Sequence, residues 1–157
     1  MNAKYRYGVG AMILNNDKKI FVARRADYSS GLQMPQGGIE QGEDLETSLY
    51  RELKEEIGTN QVNIIQKIRH PLYYNFPYYL SERIYKGQYI GQGIHWFLVH
   101  FTGDDKDINL CTEDQELSDW EWLHHSKLVD NVVGFKKTMY YTVLESFKDK
   151  FKDKLYL

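Results

Sequence analysis

Glu52, Glu55 and Glu56 fall close together in a run, 44–58, that reads as a helix. At about 100° per residue, Glu55 lies roughly 60° to one side of Glu52 and Glu56 roughly 40° to the other. Three carboxylates therefore share one narrow arc. Leu45, Leu49, Leu53 and Ile57 run down an adjoining, partly overlapping arc, the side that faces a core. Carboxylates crowded beside an apolar stripe repel one another and resist desolvation. A cation removes both costs, and a hard divalent ion with oxygen ligands fits best. The chemistry such a site serves is attack of water on a phosphorus of a diphosphate. The ion neutralises the oxygens that gain charge and lowers the pKa of bound water, while a carboxylate within reach takes the proton.

The elements that must position these groups follow from local signals. Asp44 reads as an N-cap and Gly58 as a stop. The stretch Gly37-Gly38-Ile39-Glu40-Gln41-Gly42-Glu43 just upstream reads as a tight loop, since glycine takes positive φ without steric cost. Apolar alternation and turn residues predict strands over 5–14, 19–24, 62–69, 94–101 and 118–123. In 62–69 the apolar positions are Ile64, Ile65 and Ile68; the last of the five strands alternates around Trp120 and Trp122. Arg24 and Arg25 end the second strand before the loop 27–31, close to the acidic stretch. The segment 70–84 is aromatic and carries Pro71 and Pro77, which predicts a long loop ending in an edge strand. Phe135, Met139, Val143 and Phe147 recur at helical steps and predict an amphipathic helix over 132–151, with a charged, frayed tail over 148–157.

A chain of 157 residues with 42% hydrophobic and 27% charged residues reads as one globular domain, 1–157, without repeat or linker. The formal net charge of −2 gives no global basic field, so no DNA binding is expected and any nucleic-acid contact must be local. The single cysteine, Cys111, forms no intramolecular disulfide, which fits a cytoplasmic setting. No apolar run reaches membrane-spanning length. Alternating strands and two helices predict an α/β sandwich, a mixed sheet packed between helices.

The residues Gly37, Glu43, Arg51, Glu52, Leu53, Glu55, Glu56 and Gly58, at these spacings, resemble the signature of the Nudix hydrolases. Thr59 departs from it by standing in the final aliphatic position. The resemblance implies the same α/β/α sandwich and hydrolysis of a nucleoside diphosphate linked to another group, with Mg²⁺ or Mn²⁺ as cofactor. It implies metal ligation by Glu52, Glu55 and Glu56 and by the loop carbonyl at Gly37. Glu52, or next Glu56, would activate water. Glu43 and Arg51 would form a buried ion pair fixing loop to helix, with Gly38 and Gly58 structural.

Within the family, Tyr5-Arg6 before Gly8-Val9-Gly10, the stretch 33–39 and Phe135-Lys136-Lys137 are similar to one branch. That branch holds bacterial RNA pyrophosphohydrolases and dinucleoside polyphosphate hydrolases. It implies removal of pyrophosphate from 5′-triphosphorylated RNA, an opening step of mRNA decay. The alternative is cleavage of diadenosine polyphosphates; a Nudix module that binds nucleotide without catalysis is a third. Glu116 matches a fourth carboxylate of the metal site. Tyr74 and Phe135 match a pair stacking the first base, and Arg6, Arg25 and Lys136 or Lys137 match phosphate contacts. Leu32 stands where the branch usually has Trp. Neither oligomeric state nor protein partners can be read from the residues.

Overall fold

A computed structural model describes residues 4–26, 31–132 and 134–151. The elements are β1 (Tyr5–Leu14), β2 (Ile20–Arg25), β3 (Gln36–Gly38), α1 (Leu45–Ile57), β4 (Val62–Lys67) and β5 (Leu72–Asn75). After these come a one-turn α2 (Tyr78–Ser81), β6 (Gly91–Phe101), β7 (Leu117–Leu123), α3 (Leu128–Asn131) and α4 (Lys137–Phe147). One mixed sheet runs in the order β4-β6-β1-β2-β7, with β3 added to β1 and β5 to β6. Only β1 and β6 pair in parallel among the described strands.

The central strands are apolar on both faces because each face is covered. Val9, Ala11 and Ile13 of β1 pack with Phe97 and Val99 of β6 against Leu49, Leu53 and Ile57 of α1. Met12 and Leu14 face the other way and join Trp96, Leu98 and the α4 residues Met139, Tyr140, Val143 and Phe147. The period of two along β1 thus serves two cores at once. The sandwich expected from the sequence is present. Helix α1 begins where Asp44 accepts the Thr47 N–H at 2.7 Å and ends at Gly58 with φ 80°.

Five local expectations are corrected. Gly37 and Gly38 lie in β3, not in a tight loop, and neither has positive φ; in that stretch only Gly42 does, at 85°. In the aromatic segment the edge strand comes first, as β5, and the turns follow it. Pro71 and Pro77 flank β5 rather than interrupting it, so no ladder donor is lost. Gly91 and Gly93 are inside β6, where a Cβ would strike the Tyr74 carbonyl or the rings of Tyr7 and Tyr73. A register shift between Ile64 and Gln66 turns Ile65 outward to 43% exposure. The last helix starts at Lys137, not at 132: Val132 bridges to Leu32, and the Leu32 N–H donates to Asn131 O at 2.8 Å, holding this stretch extended. Phe135 therefore sits in a 3-10 turn, Gly134–Lys136, ahead of α4.

Of the tail read as frayed, 152–157 lie outside the described residues, as do 27–30 of the loop after β2. Lys148–Lys150 form a further 3-10 turn, and the Phe151 ring rests 4.7 Å from His125. Thr59, where the Nudix pattern has an aliphatic residue, is 3% exposed, and its Oγ1 accepts from the Gln61 N–H at 3.2 Å and Gln61 Nε2 at 3.0 Å. The hydroxyl oxygen is satisfied locally as an acceptor, so it is not orphaned by burial.

The stop at Gly58 gives a direct test. A Cβ there would meet Asn109 O at 2.7 Å, in a backbone that L-residues adopt at a cost of about 1–2 kcal/mol. Gly58→Ala is expected to lower urea-unfolding stability by at least that amount; an unchanged midpoint would refute the strain.

Candidate active site

The motif's ion pair is the rivet between β3 and α1. Arg51 Nε donates to Glu43 Oε2 at 2.7 Å and Arg51 Nη2 to Glu43 Oε1 at 2.8 Å, a two-pronged contact. Arg51 Nη2 also donates to Gly38 O at 2.7 Å. Glu43 further accepts from Ser48 Oγ at 2.7 Å and from the Glu40 N–H at 2.8 Å. These bonds, Arg51 first, lower the Glu43 pKa to about 2. Glu43 and burial act oppositely on Arg51, and the net direction is upward, so it stays charged.

The same arginine reaches the helix carboxylates. Arg51 Nη1 donates to Glu52 Oε1 at 2.9 Å and to Glu55 Oε2 at 3.1 Å. Burial is the main force raising the Glu52 pKa, with Arg51 opposing it. Glu56 is 4% exposed, and burial raises its pKa well above the ordinary value, reinforced by a hydrogen bond with Glu116 and by the charges of Glu116 and Glu52. Its Oε2 has no hydrogen-bond partner. Among the described residues no three carboxylate, imidazole or thiolate groups are placed close enough together to hold a metal ion as they stand. What exists is a wall of carboxylates, one with an orphaned buried oxygen and a neighbouring carboxylate, and this donor set suits a hard divalent cation.

The glycines of β3 explain how this wall meets the sheet. A Cβ on Gly37 would overlap the Glu52 carboxylate, and one on Gly38 would overlap the Arg6 guanidinium. Side chains alternate along a strand, so Glu52 and Arg6 lie on opposite faces of β3. The Gly37 carbonyl lies against Gly8 of β1, in the ladder direction. Close approach, not turn geometry, is what these positions demand.

A cleft of about 610 Å³ opens here, lined by Gly37, Gly38, Glu52, Glu55 and Glu116 and also by Arg6, Arg25 and Lys136. Arg25 and Glu116 arrive side by side because Arg25 pairs with Leu117 and the Ala26 N–H donates to Glu116 O at 2.8 Å. Lys136 is 5% exposed; burial and the Arg25 charge lower its pKa to about 7, and Glu56 opposes the shift. Of the two lysines expected from the sequence, Lys136 lines the cleft, whereas Lys137 is exposed outside it.

Tyr74 and Phe135 both line the cleft, with ring centroids 5.8 Å apart at 35°. The rings lean on each other, so no gap for a base lies between them. Tyr74 is also tied to Gln92, and Gln36 Nε2 donates to Tyr74 Oη at 3.2 Å and Gln92 Oε1 at 2.8 Å. Gln36, Gln92, Arg83 and Tyr85 are cleft residues that the sequence reading missed. Gln36 lies in the stretch 33–39 that carries the branch resemblance but was given no role, and Gln92 lies ahead of the predicted strand 94–101. Arg83 lies in the segment 70–84, read as a long loop ending in an edge strand, and Tyr85 just beyond it, where no pattern marks a site.

An α/β/α sandwich whose acidic helix packs beside a glycine strand and opens on such a cleft defines the Nudix class of protein. The chain belongs to that family: the NUDIX domain pattern matches residues 4–143. It is 43% identical over 150 residues to an RNA pyrophosphohydrolase of Wolbachia sp. subsp. Brugia malayi, covering 95% of this chain and 93% of that one. It is also 43% identical over 147 residues to an RNA pyrophosphohydrolase of Roseobacter denitrificans, with 92% of each chain covered. The fold matches the E. coli dihydroneopterin triphosphate pyrophosphohydrolase with TM-score 0.71 at 17% identity, over 90% of this chain and 98% of that one.

The Glu43 bonds set a pH dependence. With its folded pKa at about 2, below the ordinary 4.5, Glu43 stabilises the fold fully above that ordinary value. The contribution fades as pH falls toward about 2. Urea unfolding from about pH 7 to about pH 3 should show wild type exceeding Glu43→Gln by a steady margin that narrows below about pH 4.5. A margin independent of pH would refute the pairing.

Proposed function

We propose that the chain is a divalent-metal-dependent RNA pyrophosphohydrolase that removes pyrophosphate from the 5′-triphosphate end of RNA. The observation that carries this reading is the cleft itself, which is lined both by carboxylates, Glu52, Glu55 and Glu116, and by cations, Arg6, Arg25 and Lys136. A polyphosphate needs cationic donors along its length and a basic group where water attacks. The curated relatives named above support RNA as the substrate that carries this polyphosphate.

Mg²⁺ or Mn²⁺ would be held by Glu52, Glu55, Glu56 and Glu116, and when bound it supplies charge neutralisation at phosphoryl oxygens and a lowered pKa for water. Arg6, Arg25 and Lys136 bind and orient the polyphosphate. Glu52 accepts the proton of the attacking water at a carboxylate oxygen, with Glu56 the second candidate. Arg51, anchored on Glu43, holds Glu52 at the cleft wall without touching substrate. Phe135 and Tyr74 offer the 5′ nucleoside an aromatic wall to stack against rather than a slot, a contact worth roughly 1–3 kcal/mol per base. Cytoplasmic action fits the bacterial relatives and the exposed free thiol of Cys111. No helix among the described residues is long and apolar enough to cross a membrane.

Incubation of triphosphorylated RNA with Mg²⁺ should release pyrophosphate or two orthophosphates and leave a monophosphate end. Mononucleotides from diadenosine polyphosphates, with RNA untouched, would move the assignment to dinucleoside substrates. Glu52→Gln should keep the fold and lower kcat by about 10²–10⁴-fold; near-wild-type turnover would refute its role. Calorimetric titration with Mn²⁺ should register uptake that Glu56→Gln weakens, and no uptake by wild type even with nucleotide present would overturn the metal site.

A further inference from the structure

Between β5 and β6, Tyr85 and Lys86 both take left-handed backbone angles, with φ 52° and 56°. Neither is glycine, and two adjacent left-handed residues with side chains persist only where the surroundings over-determine them. Tyr85 has the contacts to do so. Its ring lies under the Arg6 guanidinium, 4.5 Å from the central carbon to the ring centroid. Its hydroxyl accepts from Arg6 Nη1 at 2.9 Å and from Gln92 Nε2 at 3.3 Å. Phe76 and Tyr89 back the ring, with centroids 6.2 and 5.8 Å away.

Gly38 closes the other side. The guanidinium occupies the space that a Cβ on Gly38 would fill. Arg6 thus lies in a slot with bare backbone on one side and an aromatic ring on the other. A free arginine loses much rotamer freedom when it grips an anion. Here that ordering is already done, and among the described residues the guanidinium donates only to Tyr85, leaving its other donors for phosphate oxygens.

We propose that Tyr85 is a positioning residue for the polyphosphate: it holds Arg6 in the slot against Gly38, so the guanidinium meets the substrate already aimed. The inference rests on the phosphate role proposed for Arg6. Its effect belongs to binding more than to the chemical step, because Tyr85 acts through Arg6 and not on the reacting atoms.

A double-mutant cycle tests this. KM and kcat for a triphosphorylated RNA oligonucleotide, and Kd for inorganic tripolyphosphate with Mg²⁺, are measured for wild type, Tyr85→Leu, Tyr85→Phe, Arg6→Ala and Arg6→Ala combined with Tyr85→Leu. Tyr85→Leu should raise KM and the tripolyphosphate Kd by about tenfold, with a much smaller fall in kcat. Tyr85→Phe, which keeps the ring under Arg6 and its packing, should recover part of the loss. That recovery also separates positioning from misfolding. In the Arg6→Ala background Tyr85→Leu should add no more than about twofold. Equal losses in both backgrounds, or an unchanged Kd in Tyr85→Leu, would overturn the proposal. Should Arg6→Ala leave tripolyphosphate affinity intact while the enzyme still turns over RNA, the phosphate role of Arg6 itself fails, and the Tyr85 assignment falls with it.

Discussion

The structure depends on holding several carboxylates against an apolar core without letting them drive the helix away from the sheet. Arg51 meets that constraint. One guanidinium joins Glu43, Gly38 O, Glu52 and Glu55, so charge that would repel is gathered about a single cation. Because Glu43 is fixed by Ser48 and the Glu40 N–H as well, the arginine has a rigid anchor and not another mobile chain. The apolar stripe Leu49, Leu53 and Ile57 can then stay buried one face away from the cleft.

Glu56 lies beyond the direct reach of that arginine. It is buried beside Glu116, which arrives from the far edge of the sheet, and one of its oxygens has no partner. Burial of a carboxylate near another carboxylate favours the protonated form or a bound cation. The local cost is the kind found at functional sites, where the stability of the rest of the fold carries a group that would be unfavourable alone.

The two glycines of β3 show how a motif can be read correctly and explained wrongly. Gly37 and Gly38 are where the sequence puts them, but their backbone is extended. Their requirement comes from Glu52 on one face and Arg6 on the other, groups distant in sequence that need to approach the strand closely. A glycine that serves a turn and a glycine that serves a neighbour look alike in a sequence, because the neighbour is supplied by tertiary packing.

What the sequence determined by itself is local and periodic. The span of α1 between Asp44 and Gly58, the carboxylate arc of Glu52, Glu55 and Glu56, and the main strands follow from cap chemistry and side-chain periodicity over a few turns, while the partnership of Glu43 with Arg51 follows from the motif's resemblance to the Nudix signature. Tertiary structure decided the rest. It brought Glu116 and Arg25 together through β2–β7 pairing, chose Lys136 over Lys137 by starting α4 after the Val132 bridge, and set Phe135 against Tyr74. It also turned Tyr85, in a stretch with no regular pattern, onto Arg6 from 79 positions earlier. The physical reason is that periodicity records which face a residue occupies on its own element, whereas the opposing surface is set by sheet register and chain crossing, which no short window of residues encodes.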